Sequence, residues 1–229
     1  MMRRALRALS TVLIVSGSLL ILDAGLTLAW QEPISAVYAR ITQNHLDGQL
    51  RKLEREAPTP LELKALAGLH GERRRIAFLA RRLDARVHSG QAIGRIRIPA
   101  IGVRFVVVQG TGAGDLRKGP GHYPDTPLPG ERGTVAIAGH RTTYLAPFRR
   151  LDDIERGDQI ELEMPYGRFY YAYERTRVVE PSALWVKDRV RYDRLVLTAC
   201  HPLYSASKRI VVFARLVRTE PRGAALAGT

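Results

Sequence analysis

The sequence predicts a mainly β domain, a sandwich or barrel with short helices, carried behind an apolar helix and a helical connecting segment. Three observations predict it. From Gln91 onward, short β-branched runs alternate with Gly- and Pro-rich turns, a spacing that favours sandwiches and barrels. Before that point apolar residues recur every three or four positions, the mark of amphipathic helices. At the start stands one apolar run, Ala8 to Trp30. The chain has 229 residues, room for one full domain plus these appendages.

The apolar run is about 23 residues, or ~34 Å as a helix, enough to cross a bilayer core. Arg3, Arg4 and Arg7 precede it, so the N-terminus is expected in the cytoplasm and the rest of the chain outside. Trp30 suits an interfacial anchor. Asp23 works against spanning: a carboxylate there costs on the order of 3 kcal/mol. It also leaves Ser10 to Leu22 resembling a signal-peptide core, with Thr27-Leu28-Ala29 as a poor cleavage site. The expectation is an uncleaved anchor. The expected division is residues 1–7 as a cytoplasmic N-terminus, 8–30 as the transmembrane anchor, 31–90 as a helical extracytoplasmic linker, and 91–229 as the β domain.

Within the linker, Ile34, Val37, Tyr38, Ile41, His45, Leu46, Leu50 and Leu53 lie at helical spacing, and Pro58-Thr59-Pro60 ends that helix. A second helical pattern runs from Leu61 to Leu83, weakened at Gly68 and Gly71. Arg73-Arg74-Arg75 and Arg81-Arg82 read as its wet face. The β domain opens with Ile93 to Ile98, a turn at Pro99 to Gly102, and Val103 to Val108. Gly110 to Tyr123 and Pro124 to Gly133 read as loops. A short strand, Val135 to Ala138, ends in Gly139-His140-Arg141, and one helical turn is expected at Ala146 to Leu151. Strands are then expected at Gln159 to Met164, Arg168 to Arg175, Thr176 to Val179, Leu195 to Ala199 and Ile210 to Leu216.

Cys200 is the single cysteine, which excludes an internal disulfide. In an exported chain such a residue is a reactive thiol or an intermolecular cross-link, and the reactive thiol is the favoured reading. It ends one strand, and Arg209 opens the next, nine positions on. His140 follows a third strand end. A Cys, a His and an Arg at strand ends supply a nucleophile, a proton carrier and an oxyanion stabiliser, the parts needed for thiol acyl transfer. His122 and His201 are the rival histidines. His122 and Tyr123 sit in a loop that could line a cleft, and Thr142 and Tyr144 follow His140.

Ala138-Gly139-His140, Leu197-Thr198-Ala199-Cys200 and Arg209 resemble, in order and spacing, the His, Cys and Arg motifs of the sortases, membrane-anchored cysteine transpeptidases of mainly Gram-positive bacteria. Gly119-Pro120-Gly121-His122-Tyr123-Pro124, Gly139-His140-Arg141-Thr142-Thr143-Tyr144 and Cys200-His201-Pro202 resemble the class E branch of actinobacteria. The resemblance covers roughly Ile93 to Val217. It implies an eight-stranded barrel over the catalytic domain, 91–229, with Cys200 as nucleophile, His140 as general acid and base, and Arg209 as oxyanion stabiliser. Tyr123, His122, Thr198 and Tyr144 are the substrate-binding candidates. One departure stands out. The family signature Thr-Leu-x-Thr-Cys has Val196 at its first Thr and Ala199 at its second, so the hydroxyl beside the nucleophile is missing.

The resemblance further implies cleavage of a C-terminal sorting signal between Thr and Gly, with Leu-Ala-x-Thr-Gly favoured over Leu-Pro-x-Thr-Gly. The acyl group would pass to a peptidoglycan-precursor amine, or to a pilin-type Lys amine. The expected partners are proteins bearing that signal, the wall precursor and the cytoplasmic membrane. No cofactor and no metal is implied; the nearest carboxylate cluster, Asp152, Asp153 and Glu155, reads as a solvated turn. The 36 Lys+Arg against 22 Asp+Glu give a net charge of +14, which suits an anionic membrane or wall surface. Nothing resembles a zinc-ligand spacing or a recognition helix, so nucleic acid is not an expected partner. Two other readings remain at this stage. An L,D-transpeptidase-like cross-linker would carry Ser-His-Gly-Cys-x-Arg, whereas Cys200 is followed by His201-Pro202. A membrane-tethered wall-binding β-module would hold Cys200 inert.

Overall fold

The computed structural model describes residues 2–30 and 33–226. Helix α1, Met2–Trp30, contains Leu6–Gly25, a 20-residue stretch long and apolar enough to cross a membrane by length and composition. Three helices follow: α2, Pro33–Arg55; α3, Pro60–Ala67; and α4, Glu72–Asp84. The second helical pattern is thus two helices, broken at Gly68 to Gly71 where helix propensity is lowest. Thr59 starts α3 with a capping box. Its hydroxyl accepts from the Glu62 N–H at 3.3 Å, and the Glu62 carboxylate accepts from the Thr59 N–H at 2.8 Å.

Eight strands close into one barrel. They are β1, Ala92–Ile98; β2, Val103–Gln109; β3, Gly121–His122; β4, Thr134–Ala138; β5, Gln159–Met164; β6, Gly167–Val179; β7, Arg194–His201; and β8, Lys208–Pro221. Around the barrel the order is β1-β2-β3-β4-β7-β8-β6-β5, with β5 returning to β1. Two pairs, β2 with β3 and β4 with β7, are parallel. The stretch read as a loop from Gly110 to Tyr123 contains a short helix, α5 (Ala113–Leu116), and strand β3. The two strands expected at 168–179 are one strand, β6, with a register shift between Tyr173 and Arg175 where its pairing to β8 is irregular. The helical turn expected at 146–151 falls later, as a 3₁₀ turn at Leu151–Asp153.

The interior follows strand parity. On β7, Leu195, Leu197 and Ala199 face the main core with Val135 and Ile137 of β4, and all five are at most 4 % exposed. Val196 faces the other way, into a smaller cluster with Ala136, Val186, Val211 and Phe213. Side chains at i and i+2 share a face, so Val196, Thr198 and Cys200 line the outer surface of the barrel.

The helical segment is no free tether. Ile76, Ala80 and Leu83 of α4 belong to the main core. Leu46 and Leu50 of α2 pack on Ala92, Val106 and Val108. The Gln43 side chain joins α2 to the edge of β2: its amide donates to the carbonyls of Val106 and Lys118 at 3.1 and 2.8 Å, and its carbonyl accepts from the Val106 N–H at 2.7 Å. Half-buried Arg95 on β1 pairs with Asp47 of α2 and with Glu163 of β5, the latter at 3.1 Å.

Candidate active site

Three neighbouring strands bring together the residues singled out by the sequence. Strands β4 and β7 run parallel with Ala138 beside Thr198. His140 and Cys200 each lie two residues past that rung, and Gly139 N–H still donates to the Thr198 carbonyl at 3.0 Å. On the other side β8 runs antiparallel, and Arg209 is the direct partner of Cys200. Directly opposed residues in an antiparallel pair share a face, so Cys200 and Arg209 present their side chains to the same side. Neighbouring strands lie ~4.8 Å apart, which sets Cys200 and Arg209 at strand spacing, with His140 in the turn beyond β4 on the other side. Cys200 is partly buried. The Arg209 guanidinium is held through Nη1 to the carbonyls of Ala206 and Lys208, each at 2.9 Å, leaving its other N–H groups to point elsewhere.

Gly139 explains the closeness of the His140 turn to the core. A Cβ there would lie 2.5 Å from the buried Phe148 ring. The chain then passes through three successive residues in the left-handed region, Tyr144, Leu145 and Ala146, with φ of 51°, 63° and 41°. For residues with side chains that conformation costs roughly 1–2 kcal/mol each, and it persists where packing over-determines it. Ala146 is buried. The Tyr144 ring lies 5.1 Å from that of His140 and meets Tyr38 of α2 edge-on at 6.3 Å. The Tyr144 N–H donates to Ser35 Oγ at 3.4 Å. Helix α2 thus packs against the turn that carries His140.

Of the other candidates, Tyr123 and Thr198 meet: their hydroxyls lie 3.1 Å apart, two residues before Cys200 on the same face of β7. The Lys187 ammonium sits 4.7 Å from the Tyr123 ring centroid. That contact joins the loop 123–133 to the loop 180–193, beside the outer face of β7 that carries Thr198 and Cys200. The loop 180–193 is held by buried Arg194. It donates to the carbonyls of Val186 and Asp188 at 3.1 and 2.8 Å and to Thr134 Oγ1 at 3.2 Å.

His122 is buried and does not reach the outer face of β7. It is 1 % exposed, with Nδ1 2.8 Å from Gln109 Oε1 and Nε2 3.1 Å from the Thr126 hydroxyl. Its neighbour Gly121 explains the tight approach, since a Cβ there would lie 2.1 Å from the Gly110 carbonyl oxygen. Burial holds the His122 imidazole down, from 6.5 to about 4. The unfolded chain therefore takes up a proton that the folded chain refuses. Stability is full above pH ~6.5 and falls by up to about 3 kcal/mol as the pH drops to ~4. The expected result is that the melting temperature falls more steeply between pH 7 and 5 in the native protein than in His122→Gln, measured by thermal unfolding.

His201 is held differently. Arg141 is 3 % exposed, and its Nη1 lies 2.7 Å from His201 Nδ1. A guanidinium only donates, so Nδ1 accepts and the imidazole proton sits on Nε2. The same guanidinium pairs with Asp152 at 2.7 Å and bonds the Arg149 carbonyl at 3.3 Å. Asp152, exposed in its 3₁₀ turn as the sequence suggested, also takes part in a clamp between the His140 turn and the end of β7. Sequence reasoning missed this clamp and the contacts from Ser35 and Tyr38. Arg141 stands inside a quoted motif, but nothing in the sequence shows which partners bury it.

With this geometry in place, comparison with known proteins is informative. The family model described as Sortase domain matches residues 96–217, just over half of the chain. Sortase D of Bacillus subtilis is 37 % identical over 133 residues, covering 56 % of this chain and 66 % of its own length. Sortase SrtE1 of Streptomyces coelicolor is 30 % identical over 151 residues, covering 58 % of this chain and 42 % of its own. The chain thus spans less than two thirds of each of these relatives. The solved structure of sortase E from Streptomyces avermitilis superposes with a TM-score of 0.54 at 32 % identity, covering 61 % of this chain and 99 % of that one. The barrel, its strand order and the Sortase domain match agree, and the chain belongs to the sortase family.

Proposed function

We propose that this chain is a membrane-anchored cysteine transpeptidase that cleaves a C-terminal sorting signal between Thr and Gly and transfers the protein to an amine of a cell-wall precursor. The observation that carries the reading is the rung on which Cys200 opposes Arg209, with His140 in the turn two residues beyond the end of the neighbouring strand β4. In this reading the Cys200 thiolate attacks the Thr carbonyl. The carbonyl oxygen takes the negative charge, and the Arg209 guanidinium, which stays charged at any working pH, stabilises it. His140 protonates the Gly amine as the C–N bond breaks, which leaves a thioester on Cys200. The incoming amine loses its proton to His140 as it attacks the thioester, and the thiolate departs. Leu6–Gly25 serves as the anchor, with residues 31–90 outside the membrane and 91–229 as the catalytic domain.

The reading is tested by incubating the protein with paired Leu-Ala-x-Thr-Gly and Leu-Pro-x-Thr-Gly peptides. Cleavage and a covalent acyl adduct on Cys200, read by intact mass, support it; absence of both from either peptide overturns it. Tyr123 is the proposed specificity residue. Proline lacks an N–H and fills more space than alanine. A phenol beside Thr198 narrows the space over the outer face of β7 and can accept from the alanine N–H. Such a contact supplies about 1–3 kcal/mol, or roughly 10- to 200-fold. Tyr123→Ala is expected to depress kcat/KM for the Leu-Ala peptide at least tenfold more than for the Leu-Pro peptide. Equal losses would make Tyr123 a scaffold residue that props Thr198.

A further inference from the structure

A cleft of about 1320 Å³ lies outside the site described above. It is bounded by α4, by the loop 123–133 and by the loop 180–193. Six of its lining residues are Lys or Arg and two are acidic, Asp125 and Glu131, a balance of +4. Lys187 is spoken for by Asp125, Arg81 by Glu131 at 3.9 Å and Arg73 by Asp193 at 2.8 Å. Arg74, Arg132 and Arg189 are exposed and form no ion pair among the described residues. Three exposed guanidiniums from three separate segments therefore converge on one concavity, where Glu131 lies within Coulomb range of Arg189 and the balance stays at +4. Low-dielectric walls concentrate the field of such a cluster and raise the local concentration of anions.

The position of the cleft relative to Cys200 selects the ligand. Thr134, which lines the cleft, pairs with Arg194 at the start of β7, six residues before Cys200. At ~3.3 Å per residue that is ~20 Å along the outer face. Lys187 links the two: it lines the cleft with its partner Asp125 and lies over the Tyr123 ring, which meets Thr198. In the proposed reaction the acyl side of the peptide must stay bound through the thioester stage, so it is the side that runs over the Tyr123–Thr198 pair, outside Val186, which packs with Val196. Four extended residues ahead of the scissile bond cover ~13 Å. The residues that reach the cleft are then the fifth and earlier ones, outside the sorting motif. We propose that this cleft binds an acidic segment of the substrate protein, just upstream of its sorting signal. The inference rests on the transpeptidase reading above and adds a second recognition site to it.

The test uses the full chain in detergent and three peptides that share one sorting motif. At the fifth to eighth positions before the scissile bond they carry acidic, neutral or basic residues. The expected kcat/KM for the acidic flank is about tenfold above neutral at low salt, mainly through KM. The advantage should shrink in about 0.5 M salt. In the triple variant Arg74→Ser, Arg132→Ser, Arg189→Ser, the neutral peptide should turn over as in the native protein while the acidic advantage disappears. Replacing the same three by Glu should move the preference to the basic flank. Equal turnover of all three peptides by the native protein overturns the proposal, as does an acidic preference that survives in the triple Ser variant. Failure of the native protein to cleave even the neutral peptide is a failure of the transpeptidase reading instead. The cleft is then read by anisotropy of a labelled acidic peptide without the motif: binding that is lost in the triple variant supports the proposal, and undiminished binding overturns it. Tight binding of inorganic polyphosphate with no flank effect on turnover or peptide binding would assign the cleft to a phosphate polymer and overturn the peptide assignment.

Discussion

Cys200→Ala is expected to abolish both the acyl adduct and all cleavage, a loss on the order of 10³-fold or more, as for removal of a nucleophile elsewhere. Cys200 is the single thiol of the chain, so no other cysteine can take its place. The nearest alternative nucleophile on that face is the Thr198 hydroxyl. It is buried, at 5 % exposure, and already engaged with the Tyr123 hydroxyl. A hydroxyl without an adjacent base is a far weaker nucleophile than a thiolate. The change also removes one partly buried sulfur at a strand end, so far-UV circular dichroism and the melting temperature should be retained. The measurement is intact mass after incubation with a sorting peptide, beside chromatographic product analysis. Residual cleavage within tenfold of the native rate would remove Cys200 from the mechanism and return it to a packing role.

How much of this was legible from the residues varies by element. Strands β4 and β7 were plain because both faces of each are covered. Val135 and Leu195 face the main core, Ala136 and Val196 the outer cluster, so the sequence shows an unbroken apolar run. Strand β3 was not. Gly121 and His122 form a strand only because β2 and β4 flank them, and a Gly-rich stretch carries no local signal for such a pairing. The split of β6 was misplaced because a register irregularity at Tyr173 to Arg175 interrupts the alternation of a single strand. At the site, motif order gave the three strand-end residues, since parallel pairing of β4 with β7 turns equal offsets into proximity. His122 showed the limit. Its motif position and its neighbour Tyr123 suggested the cleft, yet alternation sends one inward and the other outward. The Arg141 clamp and the basic cleft join residues far apart in the chain, and only the folded arrangement reveals them.

His140→Ala and Arg209→Ala are each expected to lower kcat/KM for a sorting peptide at least ~100-fold, and a change of leaving group separates their roles. The structure narrows the choice of proton carrier. Burial keeps His122 neutral, with its imidazole held down to about 4, and His201 has Nδ1 engaged by Arg141. His140 alone of the three lies two residues beyond the last rung of the parallel pair β4–β7, the same offset as Cys200. If His140 protonates the departing amine, its loss matters less when the leaving group needs no proton. A Leu-Ala-x-Thr ester of a good leaving group should therefore acylate Cys200 in His140→Ala at a rate much closer to native than the peptide does. Arg209 acts earlier, on charge that develops at the carbonyl oxygen with any leaving group, so the same ester should not rescue Arg209→Ala. Arg209→Lys keeps the charge but not the guanidinium fork, and with Nη1 no longer held by Ala206 and Lys208 it should recover only part of the rate. Acyl-enzyme formation followed by rapid-quench mass measurement reads all four cases. Equal rescue of both alanine variants by the ester would place Arg209 in leaving-group chemistry, and native turnover by His140→Ala would move the proton carrier to His201.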